Sequence, residues 1–339
     1  MKNTSMVWWV ALVAAAACGK KGATEDTNKT GTRPGAGATG SKPADTGGQG
    51  EPKTASGGAV GDLPTVNDCP KSLSGGEKVA RTIPKGCGPI IVTADWSLDG
   101  SLTIEAGVTF KFQEGTQATF GRDATTKVTI KGTADQPVVM TSAGDSVAGY
   151  WRGINLWDGT SRSRVENLVL EHVGDDRGAI RLRGDDITLK GLVVRDAKEI
   201  GLYIDDNLKL AELSGSTFEK AGKIAISVSS TSVAGLLPGN KLDSGAFVEI
   251  RGGGVEDNAK WQNPGAPYVV RTAFDVKGKA GKAVLEIAAG TELRFDGGVD
   301  FDVGYNNPGG LIVSGTADRP VIFTATDASQ PWRGIWIYN

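Results

Sequence analysis

The feature that most constrains the fold is that the chain contains part of itself twice. Gly132-Thr133-Ala134-Asp135-Gln136-Pro137-Val138 returns as Gly315-Thr316-Ala317-Asp318-Arg319-Pro320-Val321. Leu102-Thr103-Ile104-Glu105-Ala106-Gly107 returns, at the same offset, as Leu285-Glu286-Ile287-Ala288-Ala289-Gly290. Trp151-Arg152-Gly153-Ile154 returns at nearly that offset as Trp332-Arg333-Gly334-Ile335. Fixed-offset self-similarity is what stacked, repeat-type folds leave in a sequence.

A finer period lies between the two copies. Leu170, Val194 and Phe218 occupy the same place in successive short strands and are equally spaced. Ile180, Leu202 and Ile226 mark a second strand in each unit at almost the same spacing. Units of this length, with alternating strands and polar turns, can bury their apolar side chains only by stacking on one another. The expected interior ladder is Leu170/Val194/Phe218. Glu171, Arg195 and Glu219 should face outward, and His172, Asp196 and Lys220 should form a polar column near a turn.

Composition agrees. The 49 glycines punctuate short Val/Ile/Leu runs, the signature of many strands separated by turns. A formal net charge of −2 leaves no electrostatic footprint for nucleic acid.

The first residues form a targeting segment rather than part of the fold. Lys2 precedes an unbroken apolar run from Val7 to Ala17. That run is about half of the ~20 residues needed to span a bilayer, so residues 1–17 read as a signal peptide. Residues 18–63 are rich in Gly, Thr, Lys, Ala, Pro and Asp and contain no aromatic residue. Such a segment cannot bury enough apolar surface to offset its ordering entropy, so it reads as a flexible linker. Cys69 and Cys87 are the only cysteines after Cys18. An exported, oxidising compartment favours a disulfide between them.

Ala15-Ala16-Ala17-Cys18 resembles the lipobox of bacterial lipoproteins. The resemblance implies cleavage before Cys18, lipidation of its thiol and, with Gly19 rather than Asp following, sorting to the outer membrane. The pattern Leu-x-Ile-x-x-Gly, Gly-Thr-Ala-Asp-x-Pro-Val and Trp-Arg-Gly-Ile resembles right-handed parallel β-helix lipoproteins of the pectate-lyase-like fold group. It implies an all-β solenoid with a first unit over residues 64–264 and a second, incomplete one over 265–339. The second copy reaches Asn339, the counterpart of Asp158, without coils equivalent to 161–228. Either the product is truncated or its last coil is covered.

Candidate chemistry is sparse. Trp151 and Arg152 could stack on and hydrogen-bond a sugar, or Trp151 could pack at a corner of the coil. Asp175-Asp176, Asp185-Asp186 and Asp205-Asp206 form the acidic cluster. Aligning Leu182 with Ile204 puts Arg183 beside Asp205 and Asp185 beside Asn207, so adjacent turns could converge on Ca²⁺. The competing reading is that these are solvated turn carboxylates. Enzymes of the pectate-lyase-like group use Ca²⁺ and a basic residue to remove a proton; Arg181 or Arg183 is the only local analogue, and no catalytic motif matches. His172, the only histidine, reads as a surface residue. The expectation is a non-catalytic surface binding or structural module. It carries no metal or cofactor, and its partner is the membrane through Cys18 together with a polysaccharide or surface protein. The alternative is a lyase- or epimerase-like enzyme using the Asp185–Asp206 face.

Overall fold

The computed structural model describes residues 63–338; the signal, Cys18 and the linker lie outside the described residues. Parallel strands, 51% of the structure, wind into a β-helix of about 10 turns. Each coil runs over three faces. Val138–Ser142, Leu168–Val173, Val193–Ala197 and Thr217–Glu219 pair in order on the first face. Gly153–Leu156, Ile180–Leu182, Ile200–Ile204, Ile224–Val228 and Phe247–Ile250 pair on the second. Lys127–Lys131, Arg164–Glu166, Ile187–Lys190 and Leu210–Ser214 pair on the third.

The interior follows the alternation in the sequence. Side chains of a strand point alternately to its two faces, and coils stack about 4.8 Å apart. Ile90, Phe110, Met140, Leu170, Val194 and Phe218 form one buried ladder on the first face. Ile154, Ile180, Leu202, Ile226 and Val248 form another on the second. Outside the first ladder, Arg195 bridges Glu171 at 3.2 Å and Glu219 at 2.8 Å. The fine period in the sequence therefore registers one coil, with inward and outward sets as expected.

The corners explain the short strands. His172, Asp196 and Lys220 all have left-handed φ values, 58°, 49° and 48°. A single residue in this conformation turns the chain sharply. Their side chains form the expected polar column: Asp196 lies 3.8 Å from His172 Nδ1 and 3.6 Å from Lys220 Nζ. At the next corner column, Asn167 and Gly191 are also left-handed, and Asn167 Nδ2 donates to Gly132 O at 2.9 Å. A Cβ on Gly191 would lie 2.5 Å from Asn167 Oδ1, so a side chain there would have to displace that amide.

The long repeat has a physical counterpart. Trp151 stacks on Phe112 with centroids 4.0 Å apart, and Trp332 stacks on Phe295 at 4.2 Å. Gly107 N–H donates to Gln136 O, and Gly290 N–H to Arg319 O, both at 3.0 Å. Arg152 N–H donates to Thr116 O, and Arg333 N–H to Val299 O, both at 2.8 Å. The two copies nevertheless lie on different faces. Thr109–Phe112 pairs with Val138–Ser142 on the first face. Its counterpart Glu292–Phe295 pairs with Tyr268–Val270, which continues the second face from Phe247–Ile250. The offset of the long repeat is therefore not a whole number of coils: the repeat is a local packing module, re-used one face further round. No interruption of the second face marks residue 265.

Cys69 and Cys87 are disulfide-bonded, with Cα atoms 5.5 Å apart. The bond joins the turns preceding Ser72–Ile83 and Ile90–Ile104, the strands of two successive coils. Among the described residues, no helix is long and apolar enough to cross a membrane.

Candidate binding site

The second face positions the candidate residues. Its inward residues are apolar, so period-two alternation pushes Asn155, Arg181, Tyr203, Ser227 and Glu249 outward, with Ser227 fully covered by its neighbours. These five are successive cross-coil partners. Where this face turns toward the third, Asp158, Ser161, Arg183, Asp185, Asp205, Asp206 and Leu208 line a shallow dent of about 360 Å³.

The dent is a lattice of ion pairs. Arg181 grips Asp205 with two bonds, Nε to Oδ1 at 2.7 Å and Nη2 to Oδ2 at 2.9 Å. Arg183 Nε lies 3.1 Å from the same carboxylate and 3.7 Å from Asp158. Arg251 Nη2 donates to Asp206 at 2.8 Å, and its Nη1 donates to Ser227 Oγ at 2.6 Å. The hydrogen bond to Asp205 holds the Arg181 guanidinium above its usual pKa, with burial opposing. Beside the dent, Lys209 is likewise raised by its hydrogen bond to Asp257.

Aromatic rings lock the guanidinium planes. Arg183 stacks over Trp157 at 3.6 Å, with Arg122 at 5.3 Å from the same ring. Tyr203 carries Arg251 at 4.1 Å and Arg181 at 5.6 Å. Each such contact contributes about 0.5–1 kcal/mol at exposed sites, and isolated surface ion pairs contribute less. Their joint effect is to hold donors and acceptors in a fixed array.

The sequence expectations map onto this site unevenly. Leu182 pairs with Ile204 and Arg183 meets Asp205, as the alignment requires. Asp185 does not sit beside Asn207. Its Oδ1 accepts the backbone N–H of Lys209 at 2.6 Å, and Asp186 N–H donates to Lys209 O at 2.8 Å. The physical reason is one extra corner residue. Leu182 to Ile187 is five steps, whereas Ile204 to Leu210, which pairs with Ile187, is six.

The turns therefore do not converge on a cation. Asp205 and Asp206 turn toward arginines and Asp185 toward a peptide N–H. Among the described residues, no three His, Cys, Asp or Glu side chains are placed to hold one metal ion. Asp175 Oδ1 accepts the Arg177 N–H at 2.8 Å within its own loop.

Trp151 is fully buried. One face lies on Phe112, and its indole Nε1 donates to Glu171 O at 2.9 Å. Burial leaves it no surface for a sugar and removes it from the ligand-facing set. Arg152 is half exposed but sits away from the dent, with Nη2 within 2.6 Å and 2.8 Å of the Asp95 carboxylate.

Sequence reasoning misses Trp157, Tyr203 and Arg251 as site residues. A signal for Trp157 exists in the sequence. The repeated motif extends to Trp-Arg-Gly-Ile-x-x-aromatic, ending in Trp157 in one copy and Tyr338 in the other. Marking the outward positions next to each ladder would find Tyr203 and Arg251.

Compared with known proteins, the chain matches no family model, no curated protein and no solved structure.

Proposed function

We propose that this protein is an exported, lipid-anchored β-helix module that binds polysaccharide on its second face without chemically altering it. The observation that supports this reading is the state of the carboxylates. Asp205 and Asp206 are each engaged by guanidinium groups, and Asp185 by a peptide N–H. A proton-abstracting base must reach its substrate within hydrogen-bond distance and hold a matched pKa. A calcium-assisted lyase must also bring several oxygens to about 2.3–2.6 Å of one ion. The paired array instead offers fixed donors and acceptors, which suits hydroxyl groups that both donate and accept. The kinship with pectate-lyase-like lipoproteins is part of the proposal and rests on the sequence patterns alone.

The test is direct. Purified protein incubated with neutral and acidic polysaccharides should release no new ends and no unsaturated sugars, with or without Ca²⁺, while glycan pull-down retains it. Unsaturated products that vanish in Asp205→Ala or with a chelator would establish the enzyme reading instead.

The anchoring half of the proposal rests on the apolar run ending at Cys18. Cys18→Ser should abolish labelling by palmitate and move the protein out of the detergent-rich phase. Retention of both properties would refute the anchor and, with it, the outer-membrane location.

A further inference from the structure

The dent is one end of a longer strip, and the strip carries an inference that rests on the binding reading above. Arg251 links Asp206 to Ser227, and Ser227 Oγ donates to Glu249 at 2.6 Å. Glu249 then accepts from Arg271 Nε at 3.1 Å, and Arg271 Nη1 reaches Asp296 at 3.1 Å. Thr326 Oγ1 closes the line on Asp296 at 2.8 Å. Arg271 also lies over Phe247, 5.2 Å from its centroid, repeating the guanidinium-on-ring arrangement of Trp157 and Tyr203. Paired groups thus continue from the strand Gly153–Leu156 to the strand Glu292–Phe295, across six successive strand pairings. At about 4.8 Å per pairing the strip is about 29 Å long.

Its charge is close to balanced. Arg181, Arg183, Arg251 and Arg271 face Asp158, Asp205, Asp206, Glu249 and Asp296, and each arginine has a carboxylate within 3.1 Å. A polyanion would have to displace these carboxylates from their arginines, leaving charges unpaired. A polycation would meet the arginines. An uncharged polyol meets donors and acceptors in alternation and disturbs neither.

The rings add a spacing. Trp157, Tyr203 and Phe247 follow or belong to strands two coils apart on this face, so they recur about every 10 Å along the axis while stepping across the face, Trp157 two residues beyond the Asn155–Tyr203–Glu249 register and Phe247 two residues before it. That interval is close to the length of two sugar residues in an extended chain. Because guanidinium groups cover the rings, the rings space the hydrogen-bonding groups rather than offer bare stacking surfaces.

We infer that the ligand is an uncharged, extended polysaccharide lying along the solenoid axis over this whole strip, not a single sugar held in the dent. Several subsites joined on one chain raise affinity with chain length until the strip is filled.

The experiment uses the full chain in detergent and calorimetric titration. The probes are neutral β-linked gluco-oligosaccharides of two, four, six and eight residues, with uronate oligosaccharides of matched length. Affinity for the neutral series should rise at least about tenfold from two to six residues and then level off. Arg271→Gln, at the end of the strip away from the dent, should erase most of that gain, read as the ratio of hexasaccharide to disaccharide affinity within the same variant, with its melting midpoint recorded alongside to show that the variant is folded. Thr326→Val probes the same end without removing a charge and should act in the same direction. Length-independent affinity, preference for uronates, or no effect of either variant on the longer chains would overturn the strip. Binding of none of these saccharides would overturn the polysaccharide reading as well, which separates the two failures.

Discussion

Phe218→Ala should destabilise the solenoid by about 3–5 kcal/mol, the usual cost of removing a fully buried aromatic side chain. Phe218 is 1% exposed and sits in the ladder between Val194 below and Leu242 above. Its ring also reaches across the coil. A Cβ built on Gly201 would lie 2.7 Å from Phe218 Cδ1 and 2.7 Å from Ala225 O, so no side chain fits there. Gly201→Ala should therefore disturb the same contact from the other side, by overpacking, at about 1–3 kcal/mol. The apolar ladders pack mainly between adjacent coils, so the loss should concentrate in the strands around Thr217–Glu219. Denaturant unfolding with amide exchange would show lowered protection there first. An unchanged midpoint for Phe218→Ala would mean that the inward and outward sets are exchanged, since a one-residue slip moves every side chain to the opposite face.

Opening the Cys69–Cys87 bond, by Cys87→Ser or by reductant, should cost about 3 kcal/mol on the chain-entropy account of an 18-residue separation. The effect should be local. The bond ties the two coils formed by Ser72–Ile83 and Ile90–Ile104. Beyond Ser72–Ile83 the only described strand is the short Thr65–Asn67, which covers part of one face. Among the described residues the first coil thus has little packing on its outer side, and the disulfide adds a covalent tie there. Amide exchange in Ser72–Ile83 should rise on reduction, while Ile180–Leu182 stays protected. Equal protection of the first coil with and without the bond would show that packing alone holds it.

The parts of the site that are legible in the sequence depend on nearest-coil alignment. Matching Leu182 with Ile204 places Arg183 at Asp205, and the contact is present. The same reasoning fails one corner later at Asp185, because corners tolerate an extra residue that strands do not. Contacts that skip coils are out of its reach. Arg251 stacks on Tyr203 from two coils away and also reaches Asp206. No single-coil period contains such a pair.

Burial is the other matter that a linear reading leaves undecided. Trp151 and Trp157 belong to one segment, and each stands beside an arginine or an aspartate. One is sealed against Phe112, and the other is half exposed under Arg183. The odd and even positions of the strand do not separate them, because Gly153, with a φ of 107°, breaks the alternation and leaves Gly153 and Ile154 both buried.

By itself the sequence determined the architecture of this protein: parallel coils of nearly constant length, their inward ladders, the polar corner column and the disulfide. The ladders and corners follow from local alternation repeated at a steady step, and the disulfide from there being two cysteines to pair; a linear reading can detect both. Only the tertiary structure decided that the long repeat is turned by one face. It also decided which carboxylates face arginines and that the paired groups join into one strip. Those outcomes depend on the sum of small corner insertions over many coils and on long side chains reaching past their nearest neighbours, and neither quantity is written at any one position in the chain.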